Sequence, residues 1–434
     1  MASYLLVSSP IGGHVSPVRA LGAALVAKGH RVRMLTGSRF RPLIERDGMA
    51  FVTWPAGADF DDLDLNGSFP RRVGLAGAKA VRFDLSHLFV KPMSAQFGAI
   101  TAALEEEPVN GIVGELTVSG LLPLLLSGAA TGPPVHVLGC TPLPVTSRDT
   151  FPYGLGLAPP ASALAKVRAR LMTQVAKKAV LGSVQREFNT QLRILGLPAS
   201  PVFFLEWFTL AERFWQLSVP DFEYPRSDLA TNICFAGPIL PELAGDLPDW
   251  WDDLDGTRPV IHVTQGTIDN HDLAMLIGPT IAGLAHKDVL VVATTGGRTV
   301  SDITVELPEN ARVAEFIPYH LLLPKVDVMV TNGGYGGVQF ALAHGVPLVV
   351  AGDGEDKPEI AARVAWSGIG QNLGTGRPTA ESIAAAVTDV LSQSAYREAA
   401  TKLAAQVKGT DALAAVTAAL ETTIAHPPST TRPN

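Results

Sequence analysis

The sequence predicts an α/β protein made of two doubly wound, Rossmann-like domains facing each other across a cleft. Short apolar runs of strand length alternate with helical stretches along most of the chain, the pattern of parallel βα units. A stretch rich in Pro, Asp and Trp at 221–258 interrupts that alternation as a linker would. The 434 residues also exceed what one hydrophobic core usually serves. The expected division is a first domain at 1–220, the linker, a second domain at 259–394 and a C-terminal helix at 395–425 returning toward the first domain. A disordered tail, HPPSTTRPN at 426–434, completes it.

The first domain opens with YLLVSSP as a strand, IGGHVS as a loop, PVRALGAALVAKG as a helix and HRVRMLTG as a second strand. Ser16 is read as the helix N-cap, Pro17 as its first residue and Gly29 as its end. Further strands are expected at 50–54, 110–114 and 134–138. In the second domain strands are expected in PVIHVTQG, VLVVATTGG, ARVAEF, VDVMVTNGG, VPLVVAG and IGQNL. Helices fall near 272–285, 337–344, 358–367 and 379–391, with a short one between ARVAEF and VDVMV.

Composition narrows the function. The chain is 47% apolar and 17% charged, hence globular. With 34 basic against 41 acidic residues and a net charge of −7, it lacks the basic field that nucleic acid requires. Two cysteines, Cys140 and Cys234, make no disulfide framework, and no Cys/His group has zinc spacing, which points to the cytoplasm. The opening MASYLLVSSPIGG reads as a first strand rather than a signal peptide, and LLPLLL at 121–126 is too short to span a bilayer.

Ligands of doubly wound sheets bind at the carboxyl ends of strands. There the second domain offers TNGGYGG at 331–337, a glycine loop that opens a helix whose free N–H groups and dipole favour a phosphate. Other strand ends carry Gln265-Gly266-Thr267, Phe316-Ile317-Pro318 and Glu355-Asp356-Lys357-Pro358. Phosphate donors, an aromatic plate and a carboxylate beside an amine suit a nucleoside diphosphate joined to a sugar.

The run TNGGYGGVQFALAHGVPLVVAGDGEDKPEIAARVAWSGIG resembles the donor signature of the UDP-glycosyltransferase superfamily, family 1 of the GT-B glycosyltransferases. Bacterial macrolide and antibiotic glycosyltransferases belong to it. Its pattern is roughly HGGxGSxxEALxxGVPxxxxPxxxDQxxNAxRVxxxGxG. The likeness extends through VTQGT and EFIPYHLLLPKVD, and more weakly through the GGH loop of the first domain. It implies that backbone N–H groups of Gly334, Tyr335, Gly336 and Gly337 meet the diphosphate, with Gln265, Gly266 and Thr267 on its other side. Phe316 stands where the family stacks a Trp on the base, the Ile317 backbone reads the base edge, and Asp356 and Lys357 take the place of the Asp-Gln pair that holds the sugar. The chain departs from the pattern in four places. Asn332 replaces the phosphate-contacting His, Gly337 a hydroxyl donor, Phe340 the ribose-binding Glu, and Lys357 an amide. Phe340 reads as a core helix residue, which leaves ribose recognition to other residues.

A lone histidine is more often structural than catalytic, but His14 sits at a strand end facing the cleft. The GGH match implies that it is the general base that deprotonates the acceptor hydroxyl. Such a base needs a carboxylate orienter, and Glu115 stands where the family often has Asp; it could equally cap a helix. The reaction implied is a single inverting displacement from UDP- or dTDP-sugar to a hydroxyl of a lipophilic acceptor such as a natural product. It needs no cofactor or metal if the loop amides meet the leaving charge. Asp62-Leu63-Asp64 and Asp253-Leu254-Asp255 mimic metal-binding DxD motifs but read as solvated loops. Phe83, Phe89, Phe151 and Tyr153 either line an acceptor pocket or pack under long loops.

Residues 164–193 carry seven basic residues and one acidic, with Leu164, Val167, Leu171 and Val175 at helical spacing. That is usually a surface helix with a solvated face; a second reading rests it on an anionic membrane whose lipid is glycosylated. A sugar-nucleotide epimerase and a non-catalytic partner protein remain rivals on the same architecture. Nothing in the sequence fixes the oligomeric state.

Overall fold

The computed structural model describes residues 1–75, 77–127, 132–241, 245–267 and 270–425; the expected disordered tail lies outside them. Seven parallel strands form the first sheet: β1 (Ser3–Val7), β2 (Arg31–Thr36), β3 (Ala50–Thr53), β4 (Gly111–Glu115), β5 (Val135–Gly139), β6 (Arg213–Gln216) and β7 (Ile233–Phe235), in the order 3-2-1-4-5-6-7. Six parallel strands form the second: β8 (Val260–Thr264), β9 (Leu290–Thr294), β10 (Ala311–Ala314), β11 (Val328–Thr331), β12 (Leu348–Val350) and β13 (Gly370–Asn372), in the order 10-9-8-11-12-13. Strand order reverses between β1 and β4 and again between β8 and β11, so each domain has one switch-point crevice at its carboxyl edge.

Each sheet is buried on both faces, as parallel sheets require. Along β1, Leu5 and Val7 enter one core and Tyr4 and Leu6 the opposite one, the two-residue period of a strand. The second sheet is likewise sandwiched, with Val260 on one side and Ile261 and Val263 on the other.

Two expectations need correction. Residues 233–235 lie inside the stretch read as linker, yet pair with β6 as a seventh strand. Three residues among Pro and Asp leave no legible period. The first helix runs Gly12–Ala27 with Ile11 as N-cap, so Ser16 caps nothing and Pro17 lies within the helix. The starting turn is held by Asp62, whose carboxylate accepts the Gly12 N–H at 2.7 Å. His14 therefore rides on a helix rather than on a loop.

In place of one returning helix, 395–425 forms two: helix Ser394–Lys408 packs on the second domain through Ala400, Leu403 and Val407. The last helix, Ala412–Ala425, lays Val416 and Leu420 against Leu21 and Leu25 of the first. Burial of each such side chain contributes roughly 1.5–3 kcal/mol, and Glu421 adds contacts to Lys28 and His30. No helix among the described residues is long and apolar enough to cross a membrane.

Candidate active site

Glu115 ends β4 and is fully buried. Its Oε2 lies 2.8 Å from His14 Nδ1 and accepts the Thr117 N–H at 2.8 Å; its Oε1 accepts from Ser9 N at 3.0 Å and from the Thr117 hydroxyl. The carboxylate thus reaches the imidazole across the β1/β4 switch point. Burial alone would raise its pKa, but the His14 charge and the Thr117 bonds hold it down to about 2. For His14 burial disfavours the imidazolium, while the Cys140 sulfur and the Glu115 carboxylate outweigh that and raise its pKa above the usual value. With Nδ1–H donating to Glu115, neutral His14 carries its lone pair on Nε2. The His14 side chain is 14% exposed, enough to meet a substrate.

Cys140, just past β5, places its Sγ 3.3 Å from His14 Nδ1. Sequence reading missed it, together with Ser9 and Thr117, although all three stand at carboxyl ends of strands. Among the described residues, His14, Glu115 and Cys140 are the one group whose donor atoms converge at metal-ligand spacing, but both Glu115 oxygens are already engaged. Burial raises the Cys140 thiol's pKa against the opposing pull of His14.

The glycine loop opens helix Tyr335–Ala343 at the β8/β11 crevice. Only Gly333 among its glycines has a positive φ, 87°, and a Cβ there would lie 2.8 Å from Val350 Cγ1. The first intrahelical bond is Val338 N–H to Gly334 O, so the amides of Tyr335, Gly336 and Gly337 open the helix without intrahelical partners. A Cβ on Gly336 would meet open space, and one on Gly337 only ordinary contact with Met329, so the absent hydroxyl is not a steric necessity. Tyr335 itself is buried, its hydroxyl 2.8 Å from Gln216 Nε2 at the end of β6, which ties the donor helix to the other domain.

Other expected donor residues are placed differently. Gln265 is 2% exposed: its Oε1 accepts from Leu276 and Ile277 N–H at 3.1 Å and its Nε2 donates to Asp272 O at 2.9 Å. Its side chain therefore caps helix Ile277–Leu284 instead of facing the crevice. The Asn332 amide, 8% exposed, donates to the Gln265 carbonyl and joins the β8 and β11 loops. Gly266 holds a φ of 73° and Thr267 is exposed beside it. Phe316 is 40% exposed, whereas Ile317 is buried in the core. Phe340 packs against that core, edge-on to Tyr319.

Asp356 lies at the mouth of helix Lys357–Trp366, near enough for its charge to act at Cys140 and for His14 to act on it. Burial first, then the Glu355 charge, push its pKa up to about 6. Lys357 is buried with its Nζ 2.8 Å from Glu355 Oε2, and Glu355 adopts a φ of 54° to reach it. Its ammonium is thus turned to a neighbouring carboxylate.

Of the aromatic residues expected on the acceptor side, Phe89 lies 6.5 Å from the His14 ring, and burial, then the Asp356 charge, raise the pKa of the Tyr153 hydroxyl. Phe151 is half-buried. Phe83 stacks on His87 and opens into a separate cavity of about 430 Å³ with Lys79, Arg82 and Lys91. Asp62 is 3% exposed and pairs with Arg39, whereas exposed Asp64 caps a short helix at Gly67 N, so in the first DxD only Asp62 departs from a solvated loop. In the second, Asp253 pairs with Arg312 and Asp255 closes a turn at Thr257.

The chain is similar to known proteins over most of its length. Residues 279–422 match the family model described as Erythromycin biosynthesis protein CIII-like, C-terminal domain. The chain is 39% identical over 416 residues to 4'-demethylrebeccamycin synthase of Lentzea aerocolonigenes, covering 95% of this chain and 97% of that one. It is 36% identical over 430 residues to UDP-glycosyltransferase 2 of Phaeomoniella chlamydospora, with 95% and 93% covered. The fold matches the solved glycosyltransferase of kitacinnamycin with a TM-score of 0.72 at 22% identity, over 97% of this chain and 98% of that one. Two facing Rossmann-like domains, a glycine-loop helix and this extent of likeness have one meaning: the chain belongs to family 1 of the GT-B glycosyltransferases, among the enzymes of natural-product and antibiotic type.

Proposed function

We propose that this glycosyltransferase moves a sugar from a UDP- or dTDP-sugar to a hydroxyl of a lipophilic small-molecule natural product. The reaction inverts the anomeric carbon and uses no metal ion. One observation carries the reading: His14 Nδ1 is held 2.8 Å from Glu115, leaving Nε2 as a base, in a cleft whose opposite wall presents Asp356.

In this mechanism Nε2 takes the acceptor proton as the oxygen attacks the anomeric carbon from the face opposite the diphosphate. Glu115 fixes the tautomer and stabilises the imidazolium that forms. Asp356 accepts hydrogen bonds from the sugar. The C–O bond to the diphosphate breaks, and its growing charge meets the amides of Tyr335, Gly336 and Gly337 and the positive end of their helix, donors that serve where other enzymes use a cation. Phe316 offers its face to the base. The similarity to a relative named UDP-glycosyltransferase supports a UDP-sugar as first choice.

A thermal-shift series with UDP-, dTDP- and GDP-sugars tests the donor, since a ligand that binds the native state raises the melting temperature. His14→Ala should keep that shift and lose about 10²–10⁴-fold in turnover, the usual contribution of a general base. Undiminished turnover in His14→Ala, or a product that retains the donor's anomeric configuration by NMR, would overturn the mechanism.

A further inference from the structure

We propose that helix Ala163–Val175 docks this protein on an anionic lipid surface. The helix, N-capped by Ser162, fully buries only the small Ala169 and Thr173, with Ala165 and Met172 half-buried. Its large aliphatics Leu164, Val167, Leu171 and Val175 point out, at 79%, 60%, 66% and 51% exposure. That reverses the usual surface helix, which buries its apolar stripe. Six of the seventeen exposed large apolar residues among those described fall within 155–175, Leu155 and Leu157 being the others. Such a concentration marks an interaction surface rather than scattered apolar exposure.

The charge around the stripe selects the occupant. Lys166, Arg168, Arg170, Lys177 and Lys178 surround it, with no acidic residue between 163 and 178, in a chain of net charge −7. Lys166 reaches Asp149 and Lys177 reaches Glu206, but Arg168, Arg170 and Lys178 have no acidic partner among the described residues. A second copy docked symmetrically on this stripe would set five cations against five. The stripe is also purely aliphatic, without the Trp or Tyr that anchor protein interfaces. Aliphatics flanked by Lys and Arg suit an anionic bilayer, where the apolar face enters the headgroup boundary and the basic stems reach back to the lipid phosphates. The segment leading into the helix is hydrogen-bonded through Gly154 and Gly156 to Glu359, three residues past Asp356, so docking brings the acceptor side of the enzyme to the lipid.

This inference rests on exposure and charge alone, and its test needs no substrate. The full chain is sedimented with vesicles of phosphatidylcholine, with and without phosphatidylglycerol. Anionic vesicles should retain at least about fivefold more protein, less at high salt. Leu164→Asp/Leu171→Asp and Arg168→Gln/Arg170→Gln should each abolish that preference with the melting temperature unchanged. Equal retention by both vesicles, or by parent and variants, overturns the proposal. So does a dimer on size-exclusion chromatography that Leu171→Asp dissolves, which would give the stripe to a second copy.

Discussion

Arg363, in the second domain, and Glu223, in the segment joining the domains, form an ion pair with almost no solvent exposure. Nε and Nη2 reach one carboxylate oxygen at 3.1 and 2.9 Å. Arg363 also holds Glu359 at 2.9 Å, and Glu359 accepts the N–H groups of Gly154 and Gly156 from the first domain, each at 2.9 Å. Gly156, at a φ of 58°, comes so close that a Cβ would lie 2.6 Å from Pro358 O. The sugar-side helix, the linker and the acceptor-side loop thus share one buried charge network.

Removing its cation should be costly. Arg363→Met leaves buried Glu359 without a cation and Glu223 with Arg226 alone, an expected loss of about 3–5 kcal/mol in urea unfolding. Adding Glu223→Gln should recover part of it. A loss under about 1 kcal/mol would show that water replaces the guanidinium.

The pH profile reports the His14–Glu115 bond. With the His14 pKa raised, activity should climb with pH through an inflection above the ordinary histidine value, because the base must be neutral. Glu115→Gln removes the charge that favours the imidazolium while burial still opposes it. The inflection should move to lower pH, with a reduced plateau. An unmoved inflection would mean that another group sets it.

Asn332 is best tested by geometry. Asn332→Leu strips the Gln265 carbonyl of its donor and should cost about 1–3 kcal/mol of stability and weaken donor binding through both loops. Asn332→His, with a ring N–H to offer, should keep donor binding. Parent-like donor affinity and stability in the Leu variant would remove Asn332 from the site.

Asp356 should set the acid limb of donor affinity. Its carboxyl, pushed up to about 6, is ionised above that pH and loses its charge below it. The donor KM should therefore rise as pH falls through about 6. Asp356→Asn should bind donor more weakly at neutral pH and show no such limb; an unchanged profile would exclude Asp356 from the sugar.

The reach of sequence reading was uneven for physical reasons. Apolar strands set between turn residues and helical stretches were legible, down to the three-residue β12 and β13, as were the glycine loop and His14. β6 (RFWQ) and β7 (ICF) were not, because neither short run stands in a βα alternation that would mark it. The helix start at Gly12 was missed because its stabilising partner, Asp62, lies 50 residues away. Gln265 and Asn332 looked like ligand groups because strand ends in such folds often carry them. Their amides are held instead by a helix start and a facing carbonyl, partners that neither residue's neighbours in sequence reveal.

What the sequence determined by itself is the α/β class, the two-domain plan and the family, since periodicity and a long glycine-centred signature are local properties of the chain. What only the tertiary structure decided is which side chains face the cleft. Glu115 meets His14 across 101 positions, Cys140 joins them across 126, and Asp356 closes on them from another domain. Those meetings depend on strand order and domain closure. The same holds for the outward stripe of helix Ala163–Val175: its spacing is written in the sequence, but which face packs inward is set by the neighbours it folds against.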